Sequence, residues 1–118
     1  MERMQPEVLS SQSKPGRLAL DLRVPESLAC WPGHFPEQSI VPGVLQLQWA
    51  MEAIASWEGA PPRVSRIDAL KFKSVLLPGQ RAQLSVSRET NPDGYRFEIR
   101  SEAVVFSTGR LVTEDTEL

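Results

Sequence analysis

The sequence predicts an α+β domain in which an antiparallel sheet wraps around one long central helix. One long apolar segment begins near Pro42-Gly43 and ends near Trp57, which is the pattern of a largely buried helix. Alternating apolar and polar residues on both sides of this segment predict strands. A strand, a buried helix and then several more strands are typical of a sheet that covers its concave face with the helix.

The strands follow from alternation and turn signals. Before the helix, residues 18–24 place Leu18, Leu20, Leu22 and Val24 on one face of a strand. After it, strands are predicted over residues 67–77, 82–86, 95–100 and 103–113, and Asn91-Pro92-Asp93-Gly94 predicts a hairpin turn. The pattern changes phase between Ala69 and Leu70, which predicts a β-bulge.

The two ends of the chain differ in character. Residues 1–16 are polar, and they are predicted to be a flexible N-terminal arm, with residues 17–118 forming a single domain. Because the helix is apolar on most faces and one sheet covers only part of it, we expect a dimer. An ordinary α+β monomer remains the alternative.

Composition narrows the function. The 118 residues carry a net charge of -2 with scattered Lys and Arg, so no nucleic-acid partner is expected. The apolar run over residues 40–57 is interrupted by polar residues and by proline, so no membrane span is expected. Cys30 is the only cysteine and His34 is the only histidine, so neither a disulfide nor a His/Cys zinc site is expected within one chain. Together with a polar N-terminus, these features predict a cytoplasmic protein.

The segment over residues 33–43, Gly-His-Phe-Pro-Glu-Gln-Ser-Ile-Val-Pro-Gly, leads directly into the helix. Imidazole titrates near neutral pH, and the free N–H groups at a helix start can bind a carbonyl oxygen. A lone histidine is more often a packed or surface residue, but this stiff, largely apolar loop favours a proton-transfer role for His34.

Several motifs occur in a specific order: Gly33-His34-Phe35-Pro36, then Pro42-Gly43-Val44-Leu45, then the helix, Lys71-Phe72-Lys73 and Leu77-Pro78-Gly79. Over residues 18–114 this order resembles the β-hydroxyacyl-ACP dehydratases, which have a hot-dog fold. The helix residues Leu47-Gln48-Trp49-Ala50 are more similar to the hydroxymyristoyl-ACP and aryl-polyene-type dehydratases than to the housekeeping enzymes.

The resemblance implies a reaction and a site. Such enzymes remove water from an (R)-3-hydroxyacyl thioester on acyl carrier protein, in fatty-acid or polyene biosynthesis, without a metal or organic cofactor. His34 would be the base, and the Gly43 N–H would bind the thioester oxygen in a substrate-binding turn that includes Pro42 and Val44. The Ile40 carbonyl would orient the imidazole.

One position departs from the family pattern. The family has Glu or Asp fourteen residues after the histidine, to protonate the leaving hydroxyl, and this chain has Gln48 there. An amide can hold a hydroxyl but cannot donate a proton to it at neutral pH. Glu52 lies one turn further along the same helix face. It is either a replacement acid or a solvated position.

The resemblance also implies partners. In these dimers the histidine and the carboxylate of one site come from different protomers, so this chain would form a homodimer or a heterodimer with a homologous hot-dog subunit. Basic side chains at Arg63, Arg66, Lys71, Lys73 and Arg81 either meet the acidic carrier protein or are simply solvated. Two other functions stay open, namely a non-catalytic partner or acyl-ACP-binding subunit, and thioester hydrolysis.

Overall fold

The computed structural model describes residues 5–26 and 40–114. In chain order the elements are β1 (Glu7–Lys14), β2 (Arg17–Arg23), α1 (Gly43–Glu58), β3 (Val64–Phe72), β4 (Arg81–Glu89), β5 (Gly94–Arg100) and β6 (Val105–Thr113). The strands form one sheet in the order β1-β2-β4-β5-β6-β3, and every neighbouring pair is antiparallel. The predicted α+β architecture is confirmed.

The core lies between the concave face of the sheet and one side of α1. The helix contributes Leu45, Trp49, Ala50, Ala53 and Ile54. The sheet contributes buried side chains from four strands and their flanks, among them Leu18, Leu22, Leu84, Val86, Phe97, Ile99, Phe106 and Leu111. Burial of this apolar surface is the main force that holds the helix against the sheet.

The helix has the predicted limits. It begins at Gly43 after an extended Pro42, and it is closed by Gly59 in the left-handed conformation, whose N–H donates to the Ala55 carbonyl at 2.9 Å. The sheet covers only one side of α1, so Val44 is 70% exposed in the single chain. Within the described ranges, no helix has the length and apolar character needed to cross a membrane.

The N-terminal arm departs from its prediction. Instead of a flexible arm, Glu7–Lys14 form β1, which pairs with β2 through the Pro15-Gly16 turn. All eight residues of β1 are exposed, and this strand lies at the edge of the sheet. Backbone pairing rather than apolar burial therefore holds β1, and such pairing leaves no alternating pattern in the sequence.

The predicted bulge in β3 is confirmed. The register of β3 against β6 shifts between Asp68 and Lys71, and Ala69 has a φ of 53°. The strand ends at Phe72, earlier than predicted, and the chain after Lys73 turns from β6 to the start of α1. The Lys73 N–H donates to the Phe106 carbonyl at 2.8 Å, and the Val41 N–H donates to the Leu76 carbonyl at 2.8 Å. The segment over residues 73–77 therefore runs beside the start of α1.

Candidate active site

The N-terminus of α1 presents backbone donors. The N–H groups of Leu45 and Gln46 donate to the Pro42 carbonyl at 3.1 and 3.2 Å. The N–H groups of Gly43 and Val44 have no acceptor within the helix, and Pro42 provides no side-chain cap. These two donors lie at the positive end of the helix dipole. This end of the helix can therefore hold an oxygen atom that carries negative charge.

Two hydrogen bonds fix the backbone just before these donors. The Val41 N–H is held by Leu76, and the Gln46 side-chain nitrogen donates to the Val41 carbonyl at 3.2 Å. Gln46 is 3% exposed, an unusual environment for an amide side chain. The N–H and the carbonyl of Val41 therefore both have hydrogen-bond partners, so the direction of the helix start is fixed.

Glycine is required at position 43 by a close contact. The ring of Phe72 lies directly against Gly43, so that a Cβ built there would be 2.6 to 2.8 Å from three ring carbons. Any larger residue would have to displace the ring. The predicted substrate-binding residues Pro42, Gly43 and Val44 are therefore together at an uncapped helix start, in contact with the end of β3.

The predicted base, His34, lies outside the described residues, as do Cys30 and the rest of residues 27–39. Ile40 is the first described residue after that range, and 40% of it is exposed. It immediately precedes Val41, whose backbone is anchored. The role of the Ile40 carbonyl in orienting His34 stays a prediction.

Gln48 and Glu52 are brought together as the helix spacing predicts. The Gln48 side-chain nitrogen donates to Glu52 Oε2 at 3.1 Å, and the Gln5 side-chain nitrogen lies 3.5 Å from Glu52 Oε1. Gln48 is exposed, whereas Glu52 is partly buried. Glu52 also borders a cavity of about 580 Å³ between α1 and the β1–β2 hairpin, which Leu20 and Trp49 line. A carboxylate and an amide are therefore hydrogen-bonded to each other on the helix surface.

The acid position faces away from the sheet. Val44 and Gln48 are one turn apart and both exposed, so they belong to the uncovered side of α1. β3 lies at one edge of the sheet, where among the described residues it pairs only with β6 and exposes Ile67, Leu70 and Phe72. Apolar side chains and an unpaired strand edge at one surface are typical of a protein interface.

Two basic residues flank the Phe72 contact. Lys71 and Lys73 are exposed, and neither forms an ion pair with a described residue. Arg63 and Arg66 differ, because they pair with Glu114 at 3.5 Å and Asp68 at 3.1 Å. Of the predicted basic positions on β3 and its flanks, Lys71 and Lys73 thus keep their charge available beside the helix start.

A polar cluster at the C-terminal end of α1 was not predicted from the sequence. Glu58 accepts hydrogen bonds from Arg88 Nε at 2.8 Å and from the Tyr95 hydroxyl at 2.6 Å. The Arg88 guanidinium also lies 4.7 Å from the centre of the Trp57 ring, a cation–π contact. The cluster combines residues from the helix, β4 and β5, so no local motif announces it.

The pKa values of Glu58 and Tyr95 in this cluster are strongly shifted. The hydrogen bond from Arg88, with help from Tyr95, lowers the pKa of Glu58 from 4.5 to about 2 despite partial burial. Burial, together with the bond to Glu58, raises the pKa of Tyr95 to about 12. Both groups are tied to the fold rather than to an open site, which indicates a structural role.

No group of three or more His, Cys, Asp or Glu in residues 5–26 and 40–114 is arranged to hold a metal ion. The described part of the site offers backbone donors, one amide and one carboxylate.

Comparison with known protein families assigns the chain to one of them. The family model described as ApeI-like, ApeI dehydratase, matches residues 10–110. The chain therefore belongs to the ApeI-like dehydratase family, as the motifs predicted.

Curated relatives include the 3-hydroxyacyl-[acyl-carrier-protein] dehydratase FabZ of Bradyrhizobium sp. (strain ORS 278), 30% identical over 100 residues, which are 72% of this chain and 66% of that protein. FabZ of Clostridium beijerinckii is 38% identical over 63 residues, 48% of this chain and 44% of that protein. FabZ of Lactobacillus helveticus is 30% identical over 80 residues, 62% and 53% of the two chains. The matched stretches span roughly half the length of most of these curated relatives.

Solved structures show the fold. A chain of the dehydratase heterocomplex ApeI:P from Xenorhabdus doucetiae superimposes with a TM-score of 0.81 at 23% identity, covering 92% of this chain and 97% of that one. Zebra fish thioesterase superfamily member 2 gives 0.64 at 17% identity, covering 92% and 80%. The predicted hot-dog fold is confirmed.

Proposed function

We propose that the chain is an (R)-3-hydroxyacyl-ACP dehydratase, or the His34-bearing subunit of one, and therefore a hydro-lyase of fatty-acid or polyene biosynthesis. The observation that carries the proposal is the uncapped helix start at Gly43, anchored by its neighbours and located within the residues that match the dehydratase family. We place the reaction in the cytoplasm, in keeping with the single cysteine of the chain.

The reaction divides between a base and an oxygen-binding site. His34 takes the proton from the carbon next to the thioester carbonyl, and the electron pair of that C–H bond moves onto the carbonyl oxygen. The Gly43 N–H donates to this oxygen as its negative charge develops. The electrons then return to form the carbon–carbon double bond, the C3–O bond breaks, and the hydroxyl leaves as water once it is protonated.

Protonation of the leaving hydroxyl involves Gln48 and Glu52. Gln48 occupies the position of the missing acid and holds the hydroxyl by a hydrogen bond. Glu52, which accepts from Gln48 at 3.1 Å, supplies the proton through a water molecule. A homologous subunit with an intact acid would replace Glu52 in this role.

Two partners follow from the surfaces of the chain. The unpaired β3 edge and the exposed side of α1 would pack against a second hot-dog subunit, identical or homologous, which would bring Gln48 of one subunit near His34 of the other. Lys71 and Lys73, beside the helix start, would meet the acidic acyl carrier protein that presents the substrate. Both partners remain proposals for this chain.

Gln48 also favours a second candidate, a non-catalytic hot-dog subunit that completes the fold or the site of a partner. The two functions differ in what His34 must do. Removal of its imidazole abolishes dehydration by a catalytic subunit and leaves a scaffold unaffected.

The test is a dehydration assay in which purified protein meets a 3-hydroxyacyl-ACP and mass spectrometry follows the carrier-bound product. Loss of one water with wild type but not with His34→Ala supports the enzyme. If Glu52 is the acid, Glu52→Gln loses most of the rate, by about 10²-fold, and Gln48→Glu restores it in that background.

Three other outcomes contradict the self-sufficient enzyme. Activity only after mixing with a homologous subunit, still dependent on His34, indicates a half-site subunit. Activity of such a mixture that tolerates His34→Ala indicates a scaffold. Release of free acid from the carrier indicates thioester hydrolysis.

A further inference from the structure

We propose that Phe72 forms the wall of the oxygen-binding site, where its ring excludes water from the Gly43 N–H and contacts the thioester end of the acyl group. This inference rests on the proposed function and adds a substrate-positioning residue to it. It arises from the bulge in β3, the contact with Gly43 and the anchoring of the adjacent backbone.

The bulge decides which way Phe72 points. Asp68 and Lys71 are three residues apart, yet they pair with Arg110 and Thr108, which are only two apart and therefore on one face of β6. The extra residue in β3 reverses its alternation. Without it, Phe72 would share the convex face with Asp68.

With the bulge, Phe72 turns toward the helix. It pairs with Ser107, which in turn pairs with Ile99 on β5. Ser107 and Ile99 are both 0% exposed, so this face of the sheet is the one that packs on α1. Phe72 thus occupies the outer end of the helix-facing surface, at the edge of the sheet.

The ring has one covered side and one open side. One side lies against Gly43, close enough that three of its carbons would collide with a Cβ. Half of Phe72 nevertheless remains exposed. An exposed aromatic ring beside two backbone donors is a surface on which an acyl thioester can lie while its oxygen reaches the Gly43 N–H.

The backbone around the ring is fixed to the helix start. Lys73, immediately after Phe72, donates to Phe106, and Leu76 accepts from Val41. The end of β3 and the first turn of α1 therefore form one connected unit. The backbone of Phe72 is therefore held beside Gly43.

An apolar wall strengthens the oxygen-binding site. A hydrogen bond to a developing negative charge is worth more where water is excluded, because water both competes for the donor and screens the charge. The ring offers no donor or acceptor to compete with the substrate oxygen. A smaller side chain at position 72 would admit water to the Gly43 N–H.

The test compares Phe72→Ala and Phe72→Leu with Leu9→Ala in dehydration of a 3-hydroxyacyl-ACP. Leu9 is a control of similar exposure, since it is an apolar residue that is 40% exposed and lies on β1, at the opposite edge of the sheet from β3. We expect Phe72→Ala to lower kcat about 10- to 100-fold with KM within about threefold, and Phe72→Leu to lie between it and wild type. Leu9→Ala should stay within about threefold of wild type.

A spectroscopic readout separates site chemistry from assembly. The infrared stretch of a ¹³C-labelled thioester carbonyl, in an enoyl-ACP bound to the protein, should shift to lower frequency with wild type and Leu9→Ala. The shift should shrink with Phe72→Ala. Sedimentation velocity on every variant identifies losses that come from subunit dissociation, and Phe72→Leu carries the test if Phe72→Ala does not fold.

Equal loss of kcat in the Phe72 and Leu9 variants, a change in KM alone, or an unchanged carbonyl shift in Phe72→Ala would overturn the role of Phe72 while leaving the dehydratase intact. Failure of the proposed function looks different, because wild type itself would then neither turn over the substrate nor shift the carbonyl.

Discussion

The two ends of helix α1 have opposite designs. At the N-terminus, Pro42 gives no side-chain cap and the first N–H groups are left for an outside acceptor. At the C-terminus, Gly59 closes the helix in the left-handed conformation, and Glu58 is bound by Arg88 and Tyr95. The N-terminal end has no side-chain cap, whereas the C-terminal end is closed by a left-handed glycine and by hydrogen bonds to Glu58.

The difference shows how one element serves both purposes. An uncapped N-terminus forgoes about 1 kcal/mol that a good cap residue would contribute. The contacts at the C-terminus and the buried face of α1 hold the helix in place regardless. Substitutions at the two ends should therefore separate activity from stability.

The largest effect is expected from the paired substitutions Gly43→Ala and Gly59→Ala. In Gly43→Ala the methyl group must displace the Phe72 ring from the oxygen-binding site, so dehydration should fall about 10²-fold with little change in the free energy of unfolding. Gly59 has a φ of 88° and open space around it, so alanine there is strained by about 1 kcal/mol without touching the site. Steady-state kinetics and urea unfolding on both variants check this.

The opposite pair of results would contradict this contrast between the two ends of α1. A Gly43→Ala variant that keeps full activity, or a Gly59→Ala variant that loses activity at unchanged stability, would show that the helix start is not the site.

A smaller effect is expected from the closed end. Tyr95→Phe removes a 2.6 Å hydrogen bond to a carboxylate and should lower the free energy of unfolding by about 1 kcal/mol, with kcat unchanged. Urea unfolding and the dehydration assay measure the two quantities. Ser101→Ala, on the loop between β5 and β6, serves as a surface control for loss of a hydroxyl. A drop in kcat for Tyr95→Phe at unchanged stability would assign the closed end a part in the reaction.

The closed end should also make the stability of the fold depend on pH. The pKa of Glu58 falls from 4.5 to about 2 on folding, so its carboxylate form favours the folded state. This contribution is fully present above pH about 4.5 and is lost as the pH falls toward about 2. Urea midpoints at intervals from pH 5 to pH 2, on wild type and Glu58→Gln, should converge as the pH falls. Parallel curves would contradict the assignment.

The sequence predicted those parts of the fold that burial dictates. Alternation located β2, β4 and β5, apolar continuity located α1, and the phase change at Ala69 located the bulge. It missed β1, which no apolar face marks because the whole strand is exposed at the edge of the sheet.

Within the site, the sequence predicted only contacts between residues that are close together in the chain. Gln48 and Glu52 are one helical turn apart, so their contact follows from helix geometry. The contacts of Gly43 with Phe72 and of Glu58 with Tyr95 join residues 29 and 37 positions apart. Such contacts depend on strand order and register, which no local pattern encodes. The role of His34 rests on the family motif and stays a prediction.

The most direct test of the account is deuterium exchange at the carbon next to the thioester of a saturated acyl-ACP in D₂O. This substrate has no hydroxyl to lose, so the measurement isolates the base and the oxygen-binding site from the question of the acid. Mass spectrometry of the carrier should show deuterium incorporation with wild type and with Gly59→Ala, and little with His34→Ala or Gly43→Ala. Equal incorporation by all four proteins, or none by wild type, would contradict the claim that the open end of α1 stabilises an enolate.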